Sequence, residues 1–305
     1  MKADGKASSA AAITGVLVGV AMVSTRAVSS HASPPTLAFL RYLIGTLVLA
    51  VPVLCGPRPR FTLKDALAIA VLGVFQFALL IVLINEALRT LSAAICALVF
   101  STMPLLTMIF AIMVGREVFR WTKLAGLVLA VCGIALLLAA SASSGGAHPS
   151  TAPAFAALFG ATLIGAVCSI MYRPYVQRYP ALPTSALAMT AAVVFLAIWC
   201  VVASQPLVPG LTVSQWANVG VIGLSSGIGY FCLLWALARI DASRVVAFQA
   251  LGPVTAAAIE LFIARRPPSM TLLVSIAIVV MGLKLALSEA PHWPGRCGTG
   301  RAARR

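Results

Sequence analysis

Apolar residues in this chain gather into long runs, and each run stops at a cluster of proline, glycine or charge. A helix needs roughly 20 mostly apolar residues to cross the hydrocarbon of a bilayer. The punctuation marks off ten such runs, near residues 10–27, 35–55, 65–84, 92–114, 122–140, 153–172, 183–203, 214–236, 242–264 and 269–287. The pattern predicts an all-α integral membrane protein with ten transmembrane helices.

The runs also repeat. Shifting the chain by the separation of Pro104 and Pro253, 149 positions, lays Pro34 on Pro183, Ala87 and Leu88 on Ala236 and Leu237, Ala93 on Ala242, Arg116 on Arg265 and Gly133 on Gly282. The ten runs thus divide into a first five-helix repeat, 10–141, and a second, 153–288. Five is odd, so the second repeat must enter the membrane from the opposite side, giving two inverted repeats. Two weakly similar apolar halves are a sequence mark of secondary transporters.

Charge sets the orientation. With the N-terminus inside, all of the 22 lysines and arginines except Arg26, Arg41, Arg89, Arg265 and Arg266 fall on the cytoplasmic side. The positive-inside rule then predicts both termini in the cytoplasm. Basic loops follow helices two and four in the first half but six and eight in the second, as opposite orientations require.

Composition agrees with a bilayer as solvent: 61% hydrophobic, 10% charged and a mean hydropathy of +1.03, against about a quarter charged in soluble domains. The net charge of +15 is scattered through short loops and a tail, so no nucleic-acid partner is expected. Residues 289–305, rich in Pro, Gly and Arg, are expected to form a disordered cytoplasmic tail that touches anionic lipid. Lys2 and Lys6 before an apolar run resemble a signal peptide, yet 10–27 has its counterpart in 159–176, so the first helix is expected to be retained.

Six cysteines (Cys55, Cys96, Cys132, Cys168, Cys200 and Cys232) fall in or at the ends of spans without a CxxC pair, and His31, His148 and His292 fall in loops or the tail. No metal and no cofactor are expected. The acids, histidines and thiols do not cluster at one depth as an enzyme would need, and no glycine-rich phosphate loop suggests ATP-driven transport.

The run PPTLAFLRYLIGTLVL (34–49) resembles the second-helix signature of the EamA branch of the drug/metabolite transporters, with Arg41 at the arginine of its FLR element. NEALRTLSAAICALVFSTMPLLTMIFAIMVGREVFRWTKLAGLVLAVCGIALLL (85–138) is similar to that family's third-to-fifth helix block through its AL step, Pro104, Gly115 with Glu117, and Gly126 with Gly133. WALARIDASRVVAFQALGPVTAAAIELFIARRPPS (235–269) repeats the pattern. The second half departs where Ala264, Arg265 and Arg266 replace a Gly-Glu pair and Ser275 replaces a glycine. The resemblance implies an inverted-repeat basket, a central substrate route, alternating access and a proton gradient as the energy source.

Candidate site residues follow from polarity at depth. Gln76, Ser101, Thr102, Tyr230 and Gln249 lie well inside apolar runs and could contact a polar solute; interhelical hydrogen bonding is the structural alternative. Arg41, about two turns into the second helix, and Glu86 are candidates for gating or charge pairing, or for attracting the carboxylate of an amino-acid-like solute. The alternative for such arginines is snorkelling to the headgroups. Pro104 and Pro253 mark either hinges, each freeing the carbonyl four residues earlier, or packing kinks inherited by duplication. Glu117 and Asp241 are expected to pair with Arg116, Arg120, Arg239 or Arg244. Gly15 and Gly19 form a GxxxG suited to internal packing or to a homodimer seam.

These features together predict an inner-membrane secondary transporter, not an enzyme, that exports a small metabolite such as an amino acid. The rival readings are a non-transporting membrane scaffold or partner protein, and a drug efflux or uptake permease of the same fold.

Overall fold

The computed structural model describes residues 2–56, 59–87, 96, 99–100, 102–141, 152–264 and 270–287. Ser101, Arg89, Arg265, Arg266 and the expected tail 289–305 lie outside them. The described residues form helices joined by turns and short connections. In chain order these are α1 (Lys2–Val28), α2 (Pro34–Cys55), α3 (Leu63–Ala87), α4 (Met103–Met113), α5 (Trp121–Ser141), α6 (Ala152–Arg178), α7 (Ala181–Val202) and α8 (Val213–Leu237). Then come α9, built of Ala242–Ala247, a 3-10 turn Phe248–Ala250 and Leu251–Ala264, and α10 (Met270–Leu287). Among the described residues six helices, α1, α2, α3, α6, α7 and α8, are long and apolar enough to cross a membrane, and Met103–Met113, Trp121–Gly133 and Leu273–Ala286 are shorter apolar helices.

Helix starts are encoded locally. Ser33 caps α2, its hydroxyl accepting from the Thr36 N–H, with Pro34 and Pro35 in the first turn. Thr62 caps α3 in the same way, and Thr212 with Gln215 forms a reciprocal capping box on α8. Each side-chain cap satisfies a backbone donor that the helix cannot, worth about 1 kcal/mol. Buried hydroxyls turn back onto their own helices: Thr107 donates to the Met103 carbonyl, Thr162 to Leu158 and Ser169 to Gly165.

Leu47, Val51, Ile198, Val201 and Phe262 are exposed on the outside of the bundle. Small residues mark the closest helix contacts inside, because helices in lipid associate through close packing rather than through hydrophobic exclusion. A Cβ on Gly15 or Gly19 would collide with the carbonyls of Phe248 and Gly252 on α9. One on Gly126 would meet the Ala286 backbone, and one on Gly282 would meet the Ala130 N–H at 2.6 Å. The GxxxG of α1 is therefore used inside the chain, against α9.

These contacts join sequence halves. Helix α1 packs on α8 and α9, and α6 packs on α3 and α4. Helix α2 packs on α8 and α7, while α7 packs on α3. Helices α4 with α9 and α5 with α10 also pair across the halves.

Two irregular segments were invisible to apolar patterning. Midway along α3, Val74–Leu79 winds as a π-helix, a form that concentrates at functional sites. Helix α9 breaks at its 3-10 turn and restarts at Leu251. Pro104 accordingly differs from the mid-helix kink expected of it. Pro104 is the second residue of α4 and Pro253 the third residue of the restarted helix. In the first turn of α4 the missing N–H would have had no partner anyway, so Pro104 starts that helix. Pro253 instead follows helical residues and sits just after the 3-10 turn at which α9 changes its hydrogen bonding.

Candidate functional site

A cavity of about 1290 Å³ runs from one end of the bundle to its middle. Its mouth is lined by the α1–α2 connection (Ser29 to Pro35) with Glu86 at the end of α3 and Gln205 after α7. Its depth is lined by Arg41, Gln76, Tyr230, Gln249 and Pro253 together with Ser225 and Ser226. The structure thus brings together most of the residues singled out by polarity, from α2, α3, α8 and α9. Apolar walls come from Leu17, Val18, Met22, Leu80 and Leu233.

Arg41 donates from Nε to the Ser226 hydroxyl at 2.5 Å. Ser226 in turn donates to the Ile222 carbonyl at 2.7 Å, which fixes the direction of its lone pairs. The Arg41 guanidinium carbon lies 5.5 Å from the Tyr42 ring centre, within cation–π range. Among the described residues no acidic side chain forms an ion pair with Arg41. Its partner is the serine, which polarity-based selection passed over although Ser225-Ser226 interrupts an apolar span and was a readable signal.

Gln76 sits in the π segment of α3 and is 6% exposed. Its Nε2 reaches the Tyr230 hydroxyl at 3.5 Å, and its Oε1 has no hydrogen-bond partner among the described residues. Tyr230 packs edge-on against Phe77 with centroids 4.3 Å apart, and Tyr42 closes the cluster at 6.2 Å from Tyr230. Across the cavity, Thr14 donates to the Gly229 carbonyl at 3.0 Å, tying α1 to α8. Thr102 is not brought to the cavity; its hydroxyl bonds the Val99 carbonyl at 2.7 Å. Pro104 is buried in α4, away from the cavity lining, whereas Pro253 lines it. Glu86 lines the mouth, and Ser101 lies outside the described residues.

Polar contacts tie helices together at the opposite end of the bundle. Glu117, between α4 and α5, accepts from Lys123 Nζ at 2.6 Å, and the two side chains are 3% and 11% exposed. The same carboxylate accepts from the Ser243 N–H at 3.2 Å and from the Ser243 hydroxyl at 2.5 Å. Ser243 is in the first turn of α9, so an anion also meets the positive end of a helix there. Arg116 donates to the Ile170 carbonyl at 2.7 Å, and Arg173 pairs with Asp241 at 3.0 Å. Asp65 accepts from Arg178 at 2.9 Å and from the Tyr179 hydroxyl at 2.6 Å. Glu117 is thus held by Lys123 and Ser243, and Asp241 by Arg173, none of which was among the partners expected. Arg239 instead stacks on Trp235, 3.7 Å from its ring centre. The sequence order of charges could not foresee this, because tertiary packing decides which loops meet.

A bundle of apolar helices around a central cavity that carries a few polar side chains at depth has the architecture of a membrane solute carrier. The chain belongs to the EamA-like transporter family, whose model matches residues 6–139 and again 150–288. It is 21% identical to an uncharacterized transporter of Archaeoglobus fulgidus, over 91% of this chain and 97% of that protein. It is 27% identical to a probable terminal-alkyne amino-acid exporter of Streptantibioticus cattleyicolor, over 82% of each. It is also 24% identical to the uncharacterized inner membrane transporter YhbE of Escherichia coli, over 79% of this chain and 75% of that one. A solved crystal structure matches with a TM-score of 0.75 at 24% identity, covering 91% of this chain and 98% of the other, and so shares the fold.

Proposed function

We propose that this protein is a secondary transporter of the inner membrane that exports a small metabolite, such as an amino acid, by alternating access. The observation that carries this reading is the central cavity, open at one end, with the Glu117–Lys123–Ser243 ties at the other. In the proposed arrangement the chain crosses ten times as two inverted repeats, 10–141 and 153–288, with both termini in the cytoplasm. The packing pairs support this. Advancing each helix by five, and returning α6–α10 to α1–α5, exchanges α1–α8 with α6–α3, α2–α8 with α7–α3 and α1–α9 with α6–α4, and it leaves α2–α7, α4–α9 and α5–α10 unchanged. That exchange is what a two-fold relation between halves requires.

With this orientation the cavity faces outward and the Glu117 ties form the cytoplasmic gate. Transport then requires those ties to part while the mouth closes, with the α4 start at Pro104 and the α9 restart at Pro253 as hinges. Proton coupling remains an implication of the family resemblance. The test compares metabolites inside and outside cells that express the parent chain or an equally abundant Arg41→Ala, Gln249→Ala variant. Solute accumulating in the medium only with the parent supports export and names the cargo. Solute drawn from the medium reverses the direction. Equal metabolite profiles across rich and stressed growth favour a scaffold.

A further inference from the structure

Two groups in the cavity have unmet bonding capacity of opposite kinds. Arg41 starts seven residues into α2, roughly 10 Å below the helix end at 1.5 Å per residue, and it lines the cavity. A cation at that depth is costly unless paired or solvated. Its Nε is held by Ser226, and no acid among the described residues neutralises it. Among the described residues the terminal amino groups of the guanidinium have no hydrogen-bond partner, and they can bind an anion in the planar fork that matches a carboxylate. Gln76 is the complement. Its Nε2 is directed to Tyr230, which leaves Oε1 as a buried acceptor without a donor, and a buried acceptor left unmade is unfavourable until a partner arrives.

We propose that Arg41 and Gln76 form a two-point head-group site, taking a carboxylate at Arg41 and a neighbouring N–H donor of the same solute at Gln76 Oε1. This rests on the transporter reading above and narrows it. Ser226 is a positioning residue, since it binds Nε and presents the rest of the guanidinium. The apolar walls of Leu17, Val18, Met22, Leu80 and Leu233 receive the body of the solute. Amines that lack a carboxylate bind more weakly there, because Arg41 presents a positive charge to them.

The test uses the purified full chain in detergent and three probes of one shape: leucine, leucine methyl ester and 4-methylpentanoate. Thermal stabilisation is titrated with each. Leucine should stabilise at the lowest concentration. Removing the carboxylate or the amine should each raise the half-saturating concentration about ten- to hundredfold, the worth of a hydrogen bond to a charged group. In Arg41→Gln the ester and the parent amino acid should become equivalent, and in Gln76→Leu the deaminated acid should. Arg41→Lys, which keeps the charge but loses the fork, serves if Arg41→Gln does not fold, and it should weaken leucine and 4-methylpentanoate alike while leaving the ester unchanged. Equal stabilisation by all three probes, no stabilisation by any, or differences that persist unchanged in the variants would each overturn the site. Export of a solute without a carboxylate would overturn it too while leaving the transporter reading intact; absence of any transport would remove the reading itself.

Discussion

Neutralising Glu117 tests the gate without needing to know the cargo. Its carboxylate is 3% exposed and accepts three hydrogen bonds, one from Lys123 and two from Ser243. Lys123 lies six residues away along the same chain segment and can stay with Glu117 when the gate opens. The two Ser243 bonds cross from the α4–α5 turn to α9 and must break. A hydrogen bond to a charged group contributes about 1.5–3 kcal/mol, and one between neutral groups about 0.5–1.5 kcal/mol. Glu117→Gln keeps an acceptor of the same shape but removes the charge, so the closed state should lose about 2–3 kcal/mol relative to the open one. At 1.4 kcal/mol per tenfold, that is roughly a 30- to 150-fold shift toward the cytoplasm-facing state. The assay places a cysteine at Ser225, which lines the cavity, in a background freed of native cysteines. Labelling by a membrane-impermeant maleimide is then compared in inside-out and right-side-out vesicles. Glu117→Gln should speed labelling from the cytoplasmic side and slow it from the other, and Ser243→Ala should act in the same direction. Unchanged rates from both sides would show that these bonds do not hold the cytoplasmic end closed.

Asp241→Asn should behave differently, because Arg173 and Asp241 are 19% and 42% exposed. A solvated pair of this kind is worth about 0–1 kcal/mol, so vesicle labelling at Ser225→Cys should change less than about fivefold. Gly126→Ala should drive a methyl into the α10 backbone and destabilise the protein by about 1–3 kcal/mol, read as a lower melting temperature in detergent. Pro253→Ala restores an N–H at the helix restart and removes the constraint favouring the break at Phe248–Ala250. Solute exchange should slow while solute binding is kept, as measured by flux and by thermal stabilisation.

Much of the fold was legible because the bilayer forces the sequence to be legible. Runs such as 183–203 and 214–236 match α7 and α8 within a few residues, since an apolar stretch in lipid has only the helix to satisfy its backbone. Depth was legible as well: Arg41, Gln76, Tyr230 and Gln249 stood out as polar interruptions, and all four line the cavity. What each one touches was not. The Ser226 partner of Arg41 lies 185 residues away, and the Glu117 partner Ser243 lies 126 away, so neither has a local signature. The π winding around Gln76 has no local signature either, since the one polar residue there does not distinguish it from a regular turn. Thr102 shows the limit of polarity as a guide, since its hydroxyl serves the preceding turn and not the cavity.

The exchange of first helices has a consequence for how the chain can be divided. Helix α1 finds its main neighbours, α8 and α9, in the other half, and α6 finds α3 and α4 there. A fragment ending near residue 145 would carry α1 without the grooves that receive it, and would leave exposed the α3 surface that α6 covers. The halves are interlocked rather than adjoining. Cut between α5 and α6, the protein should reassemble only when both fragments are made in the same cell, and each fragment alone should be cleared as an unfinished membrane protein.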